Sequence, residues 1–132
     1  MSHSFPVRIF YEDTDMAGIV YYANYLKYIE RARSDIVEQL GLDQRSMRDA
    51  GIVFVITRVE ADYLGAARFG DRLEVETLHY AKGAARWMFE QDVTRDGKAI
   101  FRAKVTAVCM TTEGKPTRLP AKLRSDLPQQ AG

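Results

Sequence analysis

The chain has 132 residues, 46% hydrophobic and 28% charged, and its 19 basic against 18 acidic side chains leave a net charge of +1. That balance gives no argument for nucleic acid as a partner, and no stretch approaches the length of a membrane span. One cysteine, Cys109, excludes an internal disulfide framework and fits a reducing, cytoplasmic setting.

This length suits a single domain, residues 1–132, large enough to bury roughly two-thirds of its unfolded surface. The opening MSHSFPVRIFYEDTD holds no apolar core of signal-peptide length. Val7, Ile9 and Tyr11 alternate with Arg8, Phe10 and Glu12, which predicts a first strand ending at the acids Glu12, Asp13 and Asp15. From about Ala23 the period changes to helical: Tyr25, Tyr28, Ile29, Ala32, Ile36, Val37 and Leu40 share one stripe, and Gly41 closes it. Residues 43–51 suit one further short helical turn. After Gly51 the pattern is β throughout: 52–64, 72–80, a run carrying Trp87, Phe89, Gln91 and Val93 on one face, and a run carrying Ala99 to Cys109 on one face. Asp96-Gly97 marks a hairpin between the last two. The end, from 124 to 132, is polar and is expected to be a flexible tail. One helix followed by a run of strands means an α+β fold with an antiparallel sheet of five to six strands. A single helix covers only part of such a sheet, so a homo-oligomer is expected.

The acidic turn admits several chemistries. As a calcium loop it lacks ligands, because Ala17 and Asn24 stand where a third ligand and a bidentate Glu are needed. No metal is expected elsewhere either, since His3, His79 and Cys109 are isolated from one another. An Asp-x-Asp phosphoryl-transfer nucleophile requires alternating βα units, which are missing. No serine sits in a nucleophile elbow, and GAARFG matches no phosphate-binding spacing. The carboxylates and tyrosines of residues 11–24 are what remains. Asp and Thr also form turns, and acids ahead of a helix suit its positive end, so a structural role stays open. Against that role stands Met16-Ala17-Gly18-Ile19-Val20, a longer and looser approach than a helix start needs.

Tyr11-Glu12-Asp13-Thr14-Asp15, Gly18-Ile19-Val20-Tyr21, Asn24-Tyr25 and Glu30-Arg31-Ala32-Arg33 together resemble the signature of hot-dog-fold acyl-CoA thioesterases. The similarity is to the 4-hydroxybenzoyl-CoA thioesterase family, most closely its Tol–Pal-associated branch, and it covers roughly residues 5 to 120. The resemblance implies one long central helix wrapped by a curved antiparallel sheet, and dimers or tetramers with active sites between subunits. It implies hydrolysis of acyl-CoA to a carboxylic acid and free CoA without a cofactor. Asp15 would be nucleophile or general base, and the Tyr22 main-chain N–H would polarise the thioester carbonyl. Physically, a helix N-terminus offers unpaired N–H groups and a positive dipole end to a developing oxyanion. Tyr11, Gly18, Val20 and Asn24 would line the substrate, and Lys82 and Arg86, with Arg58 a weaker candidate, would meet the phosphates of coenzyme A.

The chain departs from the pattern at Tyr22, where many members have His, and at Met16, where a small residue or proline is frequent. The basic cluster thins to Gly83, Ala84 and Ala85 between Lys82 and Arg86. Two other readings follow. A non-catalytic protein binding acyl-CoA or acyl carrier protein would use the same pocket. An enoyl-CoA hydratase would need a histidine in the motif, and His3 and His79 lie outside it.

Overall fold

The computed structural model describes residues 1–130. Five strands, β1 (Ser2–Arg8), β2 (Ile52–Tyr63), β3 (Arg72–Lys82), β4 (Arg86–Arg95) and β5 (Lys98–Thr111), form one antiparallel sheet in the order β1-β3-β4-β5-β2. A sixth, β6 (Gln129–Gln130), adds in parallel to β3 beyond the end of β1. The helices are α1 (Asn24–Gln39), α2 (Gln44–Asp49) and α3 (Ala121–Asp126). Among the described residues no helix is long and apolar enough to cross a membrane.

Helix α1 forms where the period-3.6 stripe predicts it, and the stripe residues Tyr25, Tyr28, Ile29, Ala32 and Ile36 are all buried. It stops at Gly41, whose positive φ lets Gly41 N–H bond Glu38 O and Leu42 N–H bond Val37 O, the paired bonds of a Schellman cap. The stripe packs on the inward faces of β3, β4 and β5, where Leu73, Val75, Trp87, Phe89, Val93, Phe101, Val105 and Cys109 are buried with it. Each large side chain of that set contributes roughly 1.5–3 kcal/mol of transfer free energy. Asp96 and Gly97 both have positive φ, the conformation of a two-residue type I′ hairpin turn between β4 and β5.

Gln91 is fully buried inside this core, and its bonding explains it. Gln91 accepts from Arg33 Nη1 at 3.0 Å and donates from Nε2 to Ile29 O and Thr77 Oγ1 at 3.0 and 3.1 Å. Helix and sheet are thereby pinned in one register, since a slip would strand a buried amide.

Two expectations need correction. The first strand ends at Arg8, and Tyr11–Asp13 form a 3-10 turn, because the Asp13 carboxylate accepts from Phe10 N–H and closes the chain on itself. The end of the chain is laid down as far as residue 130: Leu119, Leu123 and Leu127 are buried, and Ala81 N–H bonds Pro128 O. Of the expected tail, residues 124–126 close α3 and 129–130 form β6, while 131–132 lie outside the described residues.

Strand β2 lies at the edge of the sheet, where α1 meets it through Tyr25 against Tyr63, ring centroids 5.7 Å apart. Its pairing with β5 sets Phe54, Ile56, Val59, Ala61 and Tyr63 opposite the inward residues Cys109, Ala107, Val105, Ala103 and Phe101. An irregularity between Ile56 and Arg58 inserts Thr57 and keeps the apolar residues on that face. Ile56, Val59 and Tyr63 are nevertheless 44, 44 and 47% exposed. An apolar edge of this length stands open to solvent.

Candidate active site

Residues 9–23 connect β1 to α1, and Asp13 organises them. Its carboxylate accepts from Phe10 N–H at 2.7 Å, and its carbonyl accepts from Tyr21 N–H at 2.9 Å and Asn24 Nδ2 at 3.0 Å. Thr14 pairs with Val20, and Asp15 N–H bonds Ile19 O at 2.9 Å, so the two arms of the loop run antiparallel. The reversal between them needs Gly18 at φ +78, a region that costs other L-residues about 1 kcal/mol or more.

Asp15 stands at the head of that reversal with an exposed carboxylate. Oδ1 accepts from Ala17 N–H at 2.9 Å, while Oδ2 has no partner among the described residues. One oxygen therefore orients the group and the other is open for chemistry.

The start of α1 faces the same loop. Ala23, the residue before the helix, has helical dihedrals and no side-chain cap. Tyr21 O accepts from Asn24 N–H at 2.9 Å, and Tyr22 O accepts from the Tyr63 hydroxyl at 2.9 Å. The N–H groups of Tyr22 and Ala23 have no acceptor among the described residues. Unpaired amides at the positive end of a 16-residue helix are a ready anion site.

The loop is fastened to the sheet from below. Val20 N–H bonds Ala67 O at 2.8 Å, and Ala67 N–H bonds the Tyr25 hydroxyl at 3.2 Å. Arg95 Nη1 reaches Ala66 O at 2.6 Å and Asp71 Oδ2 at 3.0 Å. The Arg68 N–H, and then Arg95, hold the Asp71 carboxyl below its usual range. Beneath the turn, burial and then the Asp13 carboxylate push the Tyr28 phenol well above its ordinary value. Around Asp15 the surface is aromatic: Tyr11 meets Phe69 edge-on at 6.1 Å, and Tyr22 meets Tyr21 at 4.9 Å and Tyr63 at 6.1 Å.

Asp15, Gly18 and Tyr22 lie on the loop before α1, and Asn24 opens the helix that follows it. Val20 is a buried anchor, and Asn24 acts through the Asp13 carbonyl. Tyr11 points into solvent, 78% exposed, and makes no bond to Asp15. The basic candidates fall elsewhere. Lys82 and Arg86 flank the turn at the far end of β3, 11 residues and so about 30 Å from the loop end of the sheet. Arg58 pairs with Glu60 at 2.8 Å on the outward face of β2. Asp13 stood in the sequence motif without a role of its own, while Tyr63 went unremarked; it is 41 residues from its partner Tyr22, and no spacing rule joins them.

The motif residues fall within a wider likeness. A family model described as the thioesterase-like superfamily matches residues 11–127. The acyl-CoA thioesterase YbgC of Haemophilus influenzae is 36% identical over 124 residues, 92% of this chain and 91% of that protein. The acyl-CoA thioester hydrolase YbgC of Escherichia coli O6:H1 is 30% identical over 126 residues, 94% of each chain. In fold, Slr0204, a 1,4-dihydroxy-2-naphthoyl-CoA thioesterase from Synechocystis, matches with a TM-score of 0.88 at 21% identity, over 95% of this chain and 94% of its own. A single long helix on a curved antiparallel sheet, a loop carboxylate at its start and a match over most of the length agree: the chain has the hot-dog fold and belongs to the thioesterase-like superfamily.

Proposed function

We propose that the protein hydrolyses acyl-CoA thioesters, with Asp15 as the reacting carboxylate and the Tyr22 N–H as oxyanion donor. The observation that carries this is a half-anchored, exposed carboxylate on the same loop that ends in unpaired amides at the start of α1. The names of the relatives above support the substrate class.

Two routes use the same atoms. As nucleophile, Asp15 Oδ2 attacks the thioester carbon, the C–S bond breaks, CoA leaves as thiolate and takes a proton, and water then cleaves the mixed anhydride. As base, Asp15 takes a proton from water, hydroxide adds to the carbonyl, and collapse expels CoA. In both, negative charge grows on the carbonyl oxygen, where fixed N–H donors stabilise it. A single turnover in oxygen-18 water labels Asp15 only on the first route. Tyr22 in place of the frequent His leaves this chemistry intact, because the backbone donor does not depend on the side chain.

A panel of acyl-CoAs, short, long-chain and aromatic, with acyl carrier protein thioesters alongside, tests the reading by thiol release. Hydrolysis of at least one is expected; tight binding with no release from any would favour the binding-protein alternative.

The same reading makes the active unit an oligomer, a dimer or a tetramer. The open apolar face of β2 supports this, because a second copy paired there about a two-fold axis buries it. Antiparallel pairing of β2 with its copy sets the partner's Lys82–Arg86 turn at the Asp15 end of the joined sheet, where coenzyme A phosphates need cations. Mixing an Asp15→Asn chain with a Lys82→Ala/Arg86→Ala chain is then expected to restore activity to about a quarter of wild type, one intact site in half the dimers. No recovery on mixing would place each site within one chain. The single buried thiol, Cys109, accords with a reducing cytoplasmic compartment.

A further inference from the structure

We infer that Tyr63 is a positioning residue of this site: its hydroxyl holds the Tyr22–Ala23 peptide so that Ala23 N–H serves as a second oxyanion donor beside Tyr22 N–H. The inference rests on the thioesterase reading of the helix start and goes beyond it, since Tyr63 comes from the last residue of β2.

A trans peptide is planar, with its C=O and N–H pointing in opposite directions. Fixing the carbonyl therefore fixes the amide on its other side. Asn24 N–H, at 2.9 Å from Tyr21 O, fixes the peptide that carries Tyr22 N–H. The Tyr63 hydroxyl, at 2.9 Å from Tyr22 O, does the same for the peptide that carries Ala23 N–H. Both N–H groups lack an acceptor among the described residues, so both are aimed and neither is spent. An ordinary helix would hold Tyr22 O by an N–H one turn on, but Leu26 N–H bonds Ala23 O instead, at 3.2 Å. Tyr63 fills the vacated role from another element.

Two further features suit Tyr63 to that task. Its half-exposed ring meets Phe101 at 4.9 Å, Tyr25 at 5.7 Å and Tyr22 at 6.1 Å, so the hydroxyl is presented from a ring braced on its inner side. Burial, and then the Tyr22 phenol, raise the Tyr63 phenol above its ordinary value. A carbonyl that accepts a hydrogen bond also polarises its own amide, and such strengthening is on the order of 10–30% per bond.

Tyr63→Phe keeps the ring and removes the donor. The expected result is a kcat lower by roughly fivefold to tenfold, the worth of one neutral hydrogen bond, with KM changed by less than about twofold, because the bond matters where charge develops. A spectroscopic reading separates positioning from a general loosening. With carbon-13 in the thioester carbonyl of an acyl-CoA, bound to the Asp15→Asn protein, the carbonyl stretch should lie lower than in solution. Adding Tyr63→Phe should move it part of the way back, at an unchanged melting temperature. An unchanged stretch together with wild-type kcat overturns the inference while leaving the thioesterase reading in place. No thiol release by the wild type from any acyl-CoA would overturn the reading on which it rests.

Discussion

Asp15→Asn is expected to lower thiol release by about 10²- to 10⁴-fold, the span a positioned carboxylate contributes as base, while the fold stays intact. The physical reason lies in the two oxygens. The amide oxygen of asparagine still accepts from Ala17 N–H, so the turn that presents the side chain survives. The second oxygen becomes an NH₂, which can neither attack a carbonyl nor take a proton from water. Stability should therefore change by no more than about 0.5 kcal/mol, as for other exposed substitutions. Steady-state kinetics beside a thermal melt check both halves. Near wild-type turnover in the variant would remove Asp15 from the mechanism, and a loss of turnover matched by a loss of fold would assign it a structural role.

The second large effect concerns stability in weak acid. His79 is 1% exposed, between Trp87 and Phe89, and accepts from Trp87 Nε1 at 3.1 Å. Burial, ahead of the other causes, lowers its pKa from 6.5 to about 4. The sign follows from which state binds the proton. Between pH 6.5 and 4 the unfolded chain protonates His79 and the folded chain does not, so stability falls as the pH falls. Full development of that difference amounts to about 3 kcal/mol, at 1.36 kcal/mol per unit. Urea unfolding at a series of pH values should show this slope in wild type and a flatter one in His79→Gln, whatever the variant loses in absolute stability. Equal slopes in the two proteins would show that the ring protonates in place. Asp71 acts in a lower window: its depressed pKa contributes stability that is lost only as pH falls through the carboxylate range.

Local pattern made much of this legible. The stripe from Tyr25 to Ile36 has one periodic solution, and Gly41 and Asp96-Gly97 sit where positive φ is required, so α1, its end and the last hairpin follow from sequence. Asp15 and the Tyr22 amide came from a motif whose spacing is contiguous. What stayed hidden depends on contacts between distant segments. Tyr11 continues the alternation of the first strand, yet the Asp13 carboxylate closes a turn there, a competition that periodicity does not register. The end looked polar, but Leu119, Leu123 and Leu127 fall four apart, and the short helix α3, which holds Leu123, lies between the outer two and brings all three to the core. Lys82 and Arg86 lie at the other end of the sheet from the loop, because position along the sheet follows from strand order rather than from residue type.

The open edge at β2 bears also on how the chain comes to be folded in a crowded solution. Until it is covered, a newly made copy carries a 12-residue strand with unpaired backbone and Val55, Ile56 and Val59 exposed, the kind of template that captures other unfolded chains. The extra residue between Ile56 and Arg58 interrupts the ladder midway, and Arg58, Glu60 and Asp62 stud its outward face with charge. A foreign strand laid along this edge meets a kink and a row of ions. A chain with the same kink in the same place is the better fit, and on the oligomer proposed above refolding yield should depend on finding a sibling before finding an aggregate.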